Sequence, residues 1–227
     1  MPLLLQRYFA QRQVIDALQR KHGLAVTAVK LLAVSKTKPA EDILALYKAG
    51  QRDFGENYLQ EALQKIRQLA HLDIAWHFIG PIQSNKTRDI SRYFDWVHSV
   101  DRMKIARRLD EQRSSQQPAL NICLQVNIDD EPSKSGFKFD ELALIIEPIL
   151  TLQNIRLRGL MTIPKAGKSD VEQRISFKKL AKAKEQLNEQ FGLQLDTLSM
   201  GMSGDIEAAL IEGSTMVRIG TAIFGAR

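Results

Sequence analysis

The sequence predicts an α/β chain closed into a single (β/α)8 TIM barrel, one domain spanning residues 1–227. Three observations predict it. Short runs rich in β-branched and aromatic residues alternate with amphipathic stretches, which is the rhythm of a parallel sheet with covering helices. Eight such runs can be counted, the number that closes a barrel of this kind. No Gly-x-Gly-x-x-Gly turn follows the first run, so the open dinucleotide-binding sheet lacks its usual mark.

The elements follow in order. An amphipathic helix is expected from about Leu4 to His22, stopped by Gly23. The first strand ends at Lys36, and Pro39 opens a helix to Ala49 that Gly50 closes. A short strand covers Arg52–Asn57, and a helix covers Tyr58–Leu69. Strand three is Ile74–Gly80, followed by a polar loop and a helix over Lys86–Tyr93. Trp96–Val100 is strand four and Arg102–Gln112 its helix. Leu120–Ile128 is strand five, and a polar loop from Asp129 to Phe137 leads to a helix over Asp140–Leu152, which Pro148 should kink or split. Strand six is Ile155–Thr162, and a long charged helix spans about Ser169–Gln190. Strand seven is Asp196–Met202, with a helix over Asp205–Ile211. Strand eight is Met216–Phe224, with no helix after it, so the leading helix is expected to cover the gap.

Composition narrows the function classes. The chain has 227 residues and a net charge of +6, but its bases are spread along helices among acids and glutamines, so a solvated surface fits better than a nucleic-acid face. No segment approaches the length of a membrane span, and no export signal is read at the start. One cysteine, Cys123, lies in an apolar strand and reads as a buried filler, which suits a reducing cytoplasm. No zinc-type spacing is present, and the paired Asp129 and Asp130 lack calcium-loop spacing, so no metal is expected.

The chemistry concentrates at strand ends. Leu32, Val34 and Lys36 share one face by the two-residue period of a strand. An ammonium set beyond two core residues is costly to desolvate, so its pKa is expected to fall and its amine to become a nucleophile able to form a Schiff base. On strand eight, Val217 and Ile219 facing the helices would turn Met216 and Arg218 inward. A guanidinium there needs a partner, for which a buried carboxylate such as Glu56 is one candidate. Ser203 stands before a helix, where it serves as an N-cap or as a hydroxyl aimed at an anion. Gly220 and Thr221 offer backbone donors to a phosphate. His77, between Trp76 and Phe78, reads first as a hydrogen-bonded core residue and second as a catalyst. One ligand with an aldehyde, a phosphate and a ring nitrogen would use all these groups: pyridoxal 5′-phosphate.

Ordered motifs along essentially the whole chain then give a resemblance. They are Ala33-Val34-Ser35-Lys36-Thr37-Lys38-Pro39, Phe54-Gly55-Glu56-Asn57-Tyr58, and Trp76-His77-Phe78-Ile79-Gly80-Pro81-Ile82-Gln83-Ser84-Asn85-Lys86. Gly159-Leu160-Met161, Leu198-Ser199-Met200-Gly201-Met202-Ser203 and Val217-Arg218-Ile219-Gly220-Thr221-Ala222-Ile223-Phe224-Gly225 complete the set. The chain resembles the pyridoxal phosphate homeostasis proteins, also called YggS-type or proline synthetase co-transcribed homologues.

The resemblance implies a fold-type III barrel like the N-terminal domain of alanine racemase. It implies that Lys36 forms the Schiff base and Arg218 faces the pyridine nitrogen. Ser203, Gly220 and Thr221 would hold the phosphate, with Ser199 or Met200 nearby and Asn57 beside the ring. The implied role is supply and buffering of the cofactor without established catalysis, with other B6 vitamers and apoenzymes awaiting the cofactor as further partners. A cytoplasmic monomer is expected. A pyridoxal phosphate-dependent amino-acid racemase or decarboxylase is the alternative, and a Schiff-base aldolase acting on a phosphosugar is a weaker one. An arginine opposite the ring nitrogen keeps that nitrogen unprotonated, which disfavours long-lived carbanions. None of Tyr8, Tyr47, Tyr58 and Tyr93 is placed as an obvious second acid/base.

Overall fold

Eight parallel strands pair in sequence order, and the last pairs back onto the first, closing a barrel. The computed structural model describes residues 1–25, 28–131, 134–165 and 167–226. Two residues of the expected Asp129–Phe137 loop, Pro132 and Ser133, lie outside the described residues. The elements are α1 Leu3–Lys21, β1 Lys30–Val34, α2 Ala40–Lys48, β2 Asp53–Glu56, α3 Leu59–Gln68 and β3 Ala75–Phe78. A 3₁₀ turn at Ser84–Lys86 leads into α4 Thr87–Tyr93, then β4 Trp96–Val100, α5 Met103–Gln112 and β5 Leu120–Gln125. There follow α6 Phe139–Leu150, β6 Ile155–Met161, α7 Asp170–Phe191, β7 Thr197–Ser199, α8 Ile206–Ile211, β8 Met216–Ile219 and α9 Thr221–Phe224.

The strands read as apolar runs because a parallel barrel strand is covered on both faces. Leu31, Leu32, Ala33 and Val34 are all buried. Alternation still sorts them. Val217 and Ile219 join the large core between strands and helices, while Arg218 faces the lumen and bonds to Ser199 on the neighbouring strand. A smaller apolar cluster of Trp96, Cys123 and Met161 forms apart from that core. α7 is fixed at both ends. Ser169 and Glu172 cap it reciprocally, and Gly192 closes it at a φ of 61°. Its buried residues Phe177, Leu180, Ala183 and Leu187 recur at helical spacing.

Several expectations change, and among them β5 stops at Gln125 rather than Ile128. β1 stops at Val34, two residues short of Lys36, because the Ser35 carbonyl is taken by Lys38 N–H and by the Lys65 ammonium. β7 ends at Ser199, because Gly201 turns the chain at a φ of 96°. A Cβ there would also come within 2.7 Å of the Ala209 Cβ. β8 ends at Ile219, and a one-turn helix follows it where none was expected: the Gly220 carbonyl accepts from the N–H groups of both Ile223 and Phe224. α1 packs against this α9 and against α2 and α8, which is the covering role expected of it. Finally, α6 runs unbroken past Pro148, since the proline sits two residues from the helix end and costs a bond only in the final turn. Among the described residues no helix is long and apolar enough to cross a membrane.

Candidate functional site

The strands' C-terminal ends open into a cavity of about 480 Å³. Lys36 and Arg218 both line it, with Asn57, Ser203, Gly220 and Thr221. Their meeting follows from the register. β1 is hydrogen-bonded to β8 with Leu32 level with Arg218, so Lys36 lies four residues further along, toward the rim. Apolar wall comes from Val34, Ile79, Met161, Ile163, Met202 and Phe224.

Lys36 is half-buried, and both its neighbours are anchored. The Ser35 hydroxyl donates to Glu56 Oε1 over 2.6 Å, and Lys65 Nζ donates to the Ser35 carbonyl over 2.8 Å. Lys65 also pairs with Glu56 at 2.8 Å and with Glu61 at 2.5 Å. Thr37 adopts a φ of 63°, a conformation that costs a β-branched residue energy, and its N–H is held by Glu61 Oε1 at 2.6 Å. Burial pushes the Glu56 carboxyl up, and Lys65 pulls it only part of the way back. Lys38 is turned aside, its Nζ donating to the Ala226 carbonyl over 3.0 Å.

Arg218 is buried, and its expected carboxylate partner is corrected. Glu56 points with Phe54 toward the helices and belongs to Lys65. Arg218 faces the lumen, where Nη1 donates to the Ser199 carbonyl at 2.5 Å and to Ser199 Oγ at 2.8 Å. Nη2 donates to the Thr162 carbonyl at 2.9 Å. Burial lowers its pKa to about 10, so the guanidinium remains charged at neutral pH.

The remaining expected residues fall in three places. Asn57 is held by close packing: a Cβ on Gly80 would lie 2.1 Å from the Asn57 carbonyl oxygen. Asn57 Oδ1 is buried with no hydrogen-bond partner. Ser203 is exposed at the cavity rim but is no helix cap, since α8 begins at Ile206 and Asp205 takes the cap position. Ser199 is fully buried behind Arg218, and Met200 packs in the core between strands and helices; neither lines the cavity.

His77 is a buried, hydrogen-bonded core residue, with Nε2 3.1 Å from Asp53 Oδ1 and Nδ1 2.9 Å from His98 Nε2. His98 was missed from sequence. Its signal was the alternation Trp96, His98 on one face of β4, opposite Val97. Lys65 and Glu61 were also missed, because on a charged helix nothing distinguishes a lysine that turns inward from one that does not. Cys123 is fully buried, and burial pushes its thiol up to about 12. Among the described residues no cluster suits a metal ion.

A closed parallel barrel with a rim lysine just past its first strand and a buried arginine on its last places the chain with the alanine-racemase class of barrel, and the family comparison agrees. Residues 11–227 match the family described as alanine racemase, N-terminal domain. The chain is 58% identical over 205 residues to the pyridoxal phosphate homeostasis protein of Pseudomonas aeruginosa, covering 90% of this chain and 87% of that one. It is 49% identical over 219 residues to the Escherichia coli K12 protein of the same name, covering 95% and 93%. PipY of Synechococcus elongatus PCC7942, solved with PLP bound, superposes with a TM-score of 0.83 at 38% identity, covering 93% of this chain and all of that one. The chain belongs to the pyridoxal phosphate homeostasis protein family.

Proposed function

We propose that the chain binds pyridoxal 5′-phosphate reversibly at the barrel mouth and stores or hands over the cofactor without turning over a substrate. One observation carries the reading: Lys36 and Arg218, remote in sequence, line one cavity together with Ser203, Gly220 and Thr221. The residues fit the group. The orphaned, buried Asn57 Oδ1 lies in a residue of the cavity wall, ready for a polar ligand atom. When bound, the cofactor supplies an aldehyde that an amine captures covalently and an electron-withdrawing pyridine ring. Lys36 provides that amine. Ser203, Gly220 and Thr221 provide hydroxyl and backbone donors for a phosphate. Arg218, pinned by Ser199 and Thr162, presents a fixed positive group that retains its proton.

Storage is supported over turnover by the cavity wall. Apart from Lys36, Lys38 and Arg218, its described residues include no carboxylate, imidazole or phenol to act as a second acid or base. The same reading expects a cytoplasmic monomer that yields its cofactor to apoenzymes and admits other B6 vitamers.

The test is a visible spectrum of protein loaded with pyridoxal phosphate, borohydride reduction, and mass spectrometry of the adduct. The modification is expected on Lys36 and lost in Lys36→Ala. Unchanged spectrum and stoichiometry in Lys36→Ala would overturn the reading. Sustained Lys36-dependent solvent deuterium incorporation at the α-carbon of an amino acid would replace storage with a racemase or decarboxylase.

A further inference from the structure

Five polar side chains run in single file through the barrel, from the strands' N-terminal end to the cavity. Asp53 opens β2, His77 lies on β3, His98 on β4, Ser199 on β7 and Arg218 on β8. The successive separations are 3.1, 2.9, 2.8 and 2.8 Å. The step from His98 to Ser199 joins β4 to β7, strands that are not neighbours, so it passes through the lumen. Both imidazoles and Ser199 are fully buried. Among the described residues the cavity wall includes none of Asp53, His77, His98 and Ser199.

We infer that His77, His98 and Ser199 are positioning residues: a one-directional hydrogen-bond line anchored on Asp53 fixes the Arg218 guanidinium in the cavity. The inference concerns how the site proposed above is held, and its affinity arm rests on that reading.

The direction follows from which groups can donate. A carboxylate only accepts and a guanidinium only donates. Asp53 therefore requires the proton of His77 on Nε2. A neutral His77 then accepts at Nδ1, so His98 carries its own proton on Nε2. His98 Nδ1 is left as the acceptor, and the Ser199 hydroxyl donates to it. The Ser199 lone pairs are thereby turned toward Arg218, which donates to them. Each bond from Arg218 to Asp53 is made once, and the reverse order is closed because arginine cannot accept. The other tautomer of His98 would set its Nε2 lone pair against that of His77 Nδ1 over 2.9 Å with no proton between them. A cationic His77 would add a second buried charge to a lumen that already contains Arg218. In keeping with this, burial pushes His77 below its ordinary pKa despite Asp53, and pushes His98 well below it. At the far end Lys30 Nζ lies 3.2 Å from Asp53 Oδ1, and His77 stacks on Trp96 with ring centroids 5.5 Å apart, so the line is braced where it starts.

The first test needs no cofactor. Long-range proton–nitrogen correlation spectra of the ¹⁵N-labelled protein at pH 7 are expected to show His77 and His98 neutral and protonated on Nε2. A cationic ring, or His98 protonated on Nδ1, would overturn the inference. The second test compares Ser199→Ala, Ser199→Thr and Asp53→Asn after loading with pyridoxal phosphate. Ser199→Ala is expected to shift the visible band and weaken binding about threefold to tenfold, the worth of roughly one hydrogen bond. Ser199→Thr, which keeps the hydroxyl, should restore both. Asp53→Asn should move the band in the same direction although it sits at the other end of the barrel. Wild-type band and affinity in both Ser199→Ala and Asp53→Asn would overturn the inference. If a variant does not fold, the wild-type tautomers decide. A wild-type chain that takes up no cofactor sinks the storage reading, and the tautomers still decide this one.

Discussion

The Lys65 ammonium donates to the Ser35 carbonyl over 2.8 Å while pairing with a Glu56 carboxylate that is wholly out of solvent. The residue that precedes Lys36 is thus held by a buried ion pair. Such a pair is costly to form and far costlier to break on one side, because the survivor is a stranded charge. Lys65→Met is expected to lower unfolding stability by about 3–5 kcal/mol, read from urea denaturation. Adding Glu56→Gln removes the stranded charge and should recover at least half of that loss. Equal losses in the single and double variants would mean that Lys65 matters only for packing.

Gly80, like Gly159, leaves no room for a side chain. The neighbour a Cβ added at Gly80 would strike is the Asn57 backbone, at 2.1 Å, which cannot rotate away as a side chain could. Gly80→Ala is expected to cost about 1–3 kcal/mol and to displace Asn57 from the cavity wall. Gly204→Ala is the control. It lies at the same rim with open space around its would-be Cβ and no left-handed φ, so its effect should stay within about 0.5 kcal/mol.

The barrel was legible because its signal is redundant. Eight apolar runs, each bounded by a helix start or stop, leave few other ways to bury them. Their ends were less legible. β1, β7 and β8 all proved shorter than the apolar runs, since hydrophobicity continues through a turn while the hydrogen bonds that define a strand do not. The positions of Lys36 and Arg218 could be read from face alternation and strand order. Their supports could not. Which carboxylate reaches which cation depends on whether a side chain faces the lumen or the helices, and Glu56, one candidate partner for Arg218, lies across that divide. Pro148 misled for a related reason: the cost of a helical proline depends on its distance from the helix end, which sequence fixes only to within a few residues.

Cys123 lies in the interior with its thiol pushed up to about 12 by burial. Thiolate, not thiol, attacks disulfide reagents. Native protein at pH 8 should therefore release no chromophore from Ellman's reagent over many minutes, and one equivalent should appear on adding denaturant. Rapid reaction of the native protein would show that the strands around Cys123 open readily.

Acid should weaken this fold before ordinary carboxylates titrate. His77 and His98 have folded pKa values below the usual 6.5, so on acidification the unfolded chain takes up their protons first. Stability is complete above about pH 6.5 and falls as pH drops below it, by at most about 1.4 kcal/mol per pH unit for each imidazole. Glu56 and Asp205 work the other way, because burial raises both carboxyls so that each gains a proton in the folded state first, but they rise from the ordinary carboxylate range, which lies below that of the imidazoles. Asp53 adds a later loss. Its burial is outweighed by His77 and Lys30, so its carboxyl sits below the ordinary value and its contribution disappears only under more acid conditions. Urea midpoints measured from pH 8 to pH 5 should therefore fall steadily. His98→Gln removes one of the two imidazoles and must flatten the curve. An undiminished slope in that variant would mean that the lumen histidines take up protons in the folded barrel as readily as in water.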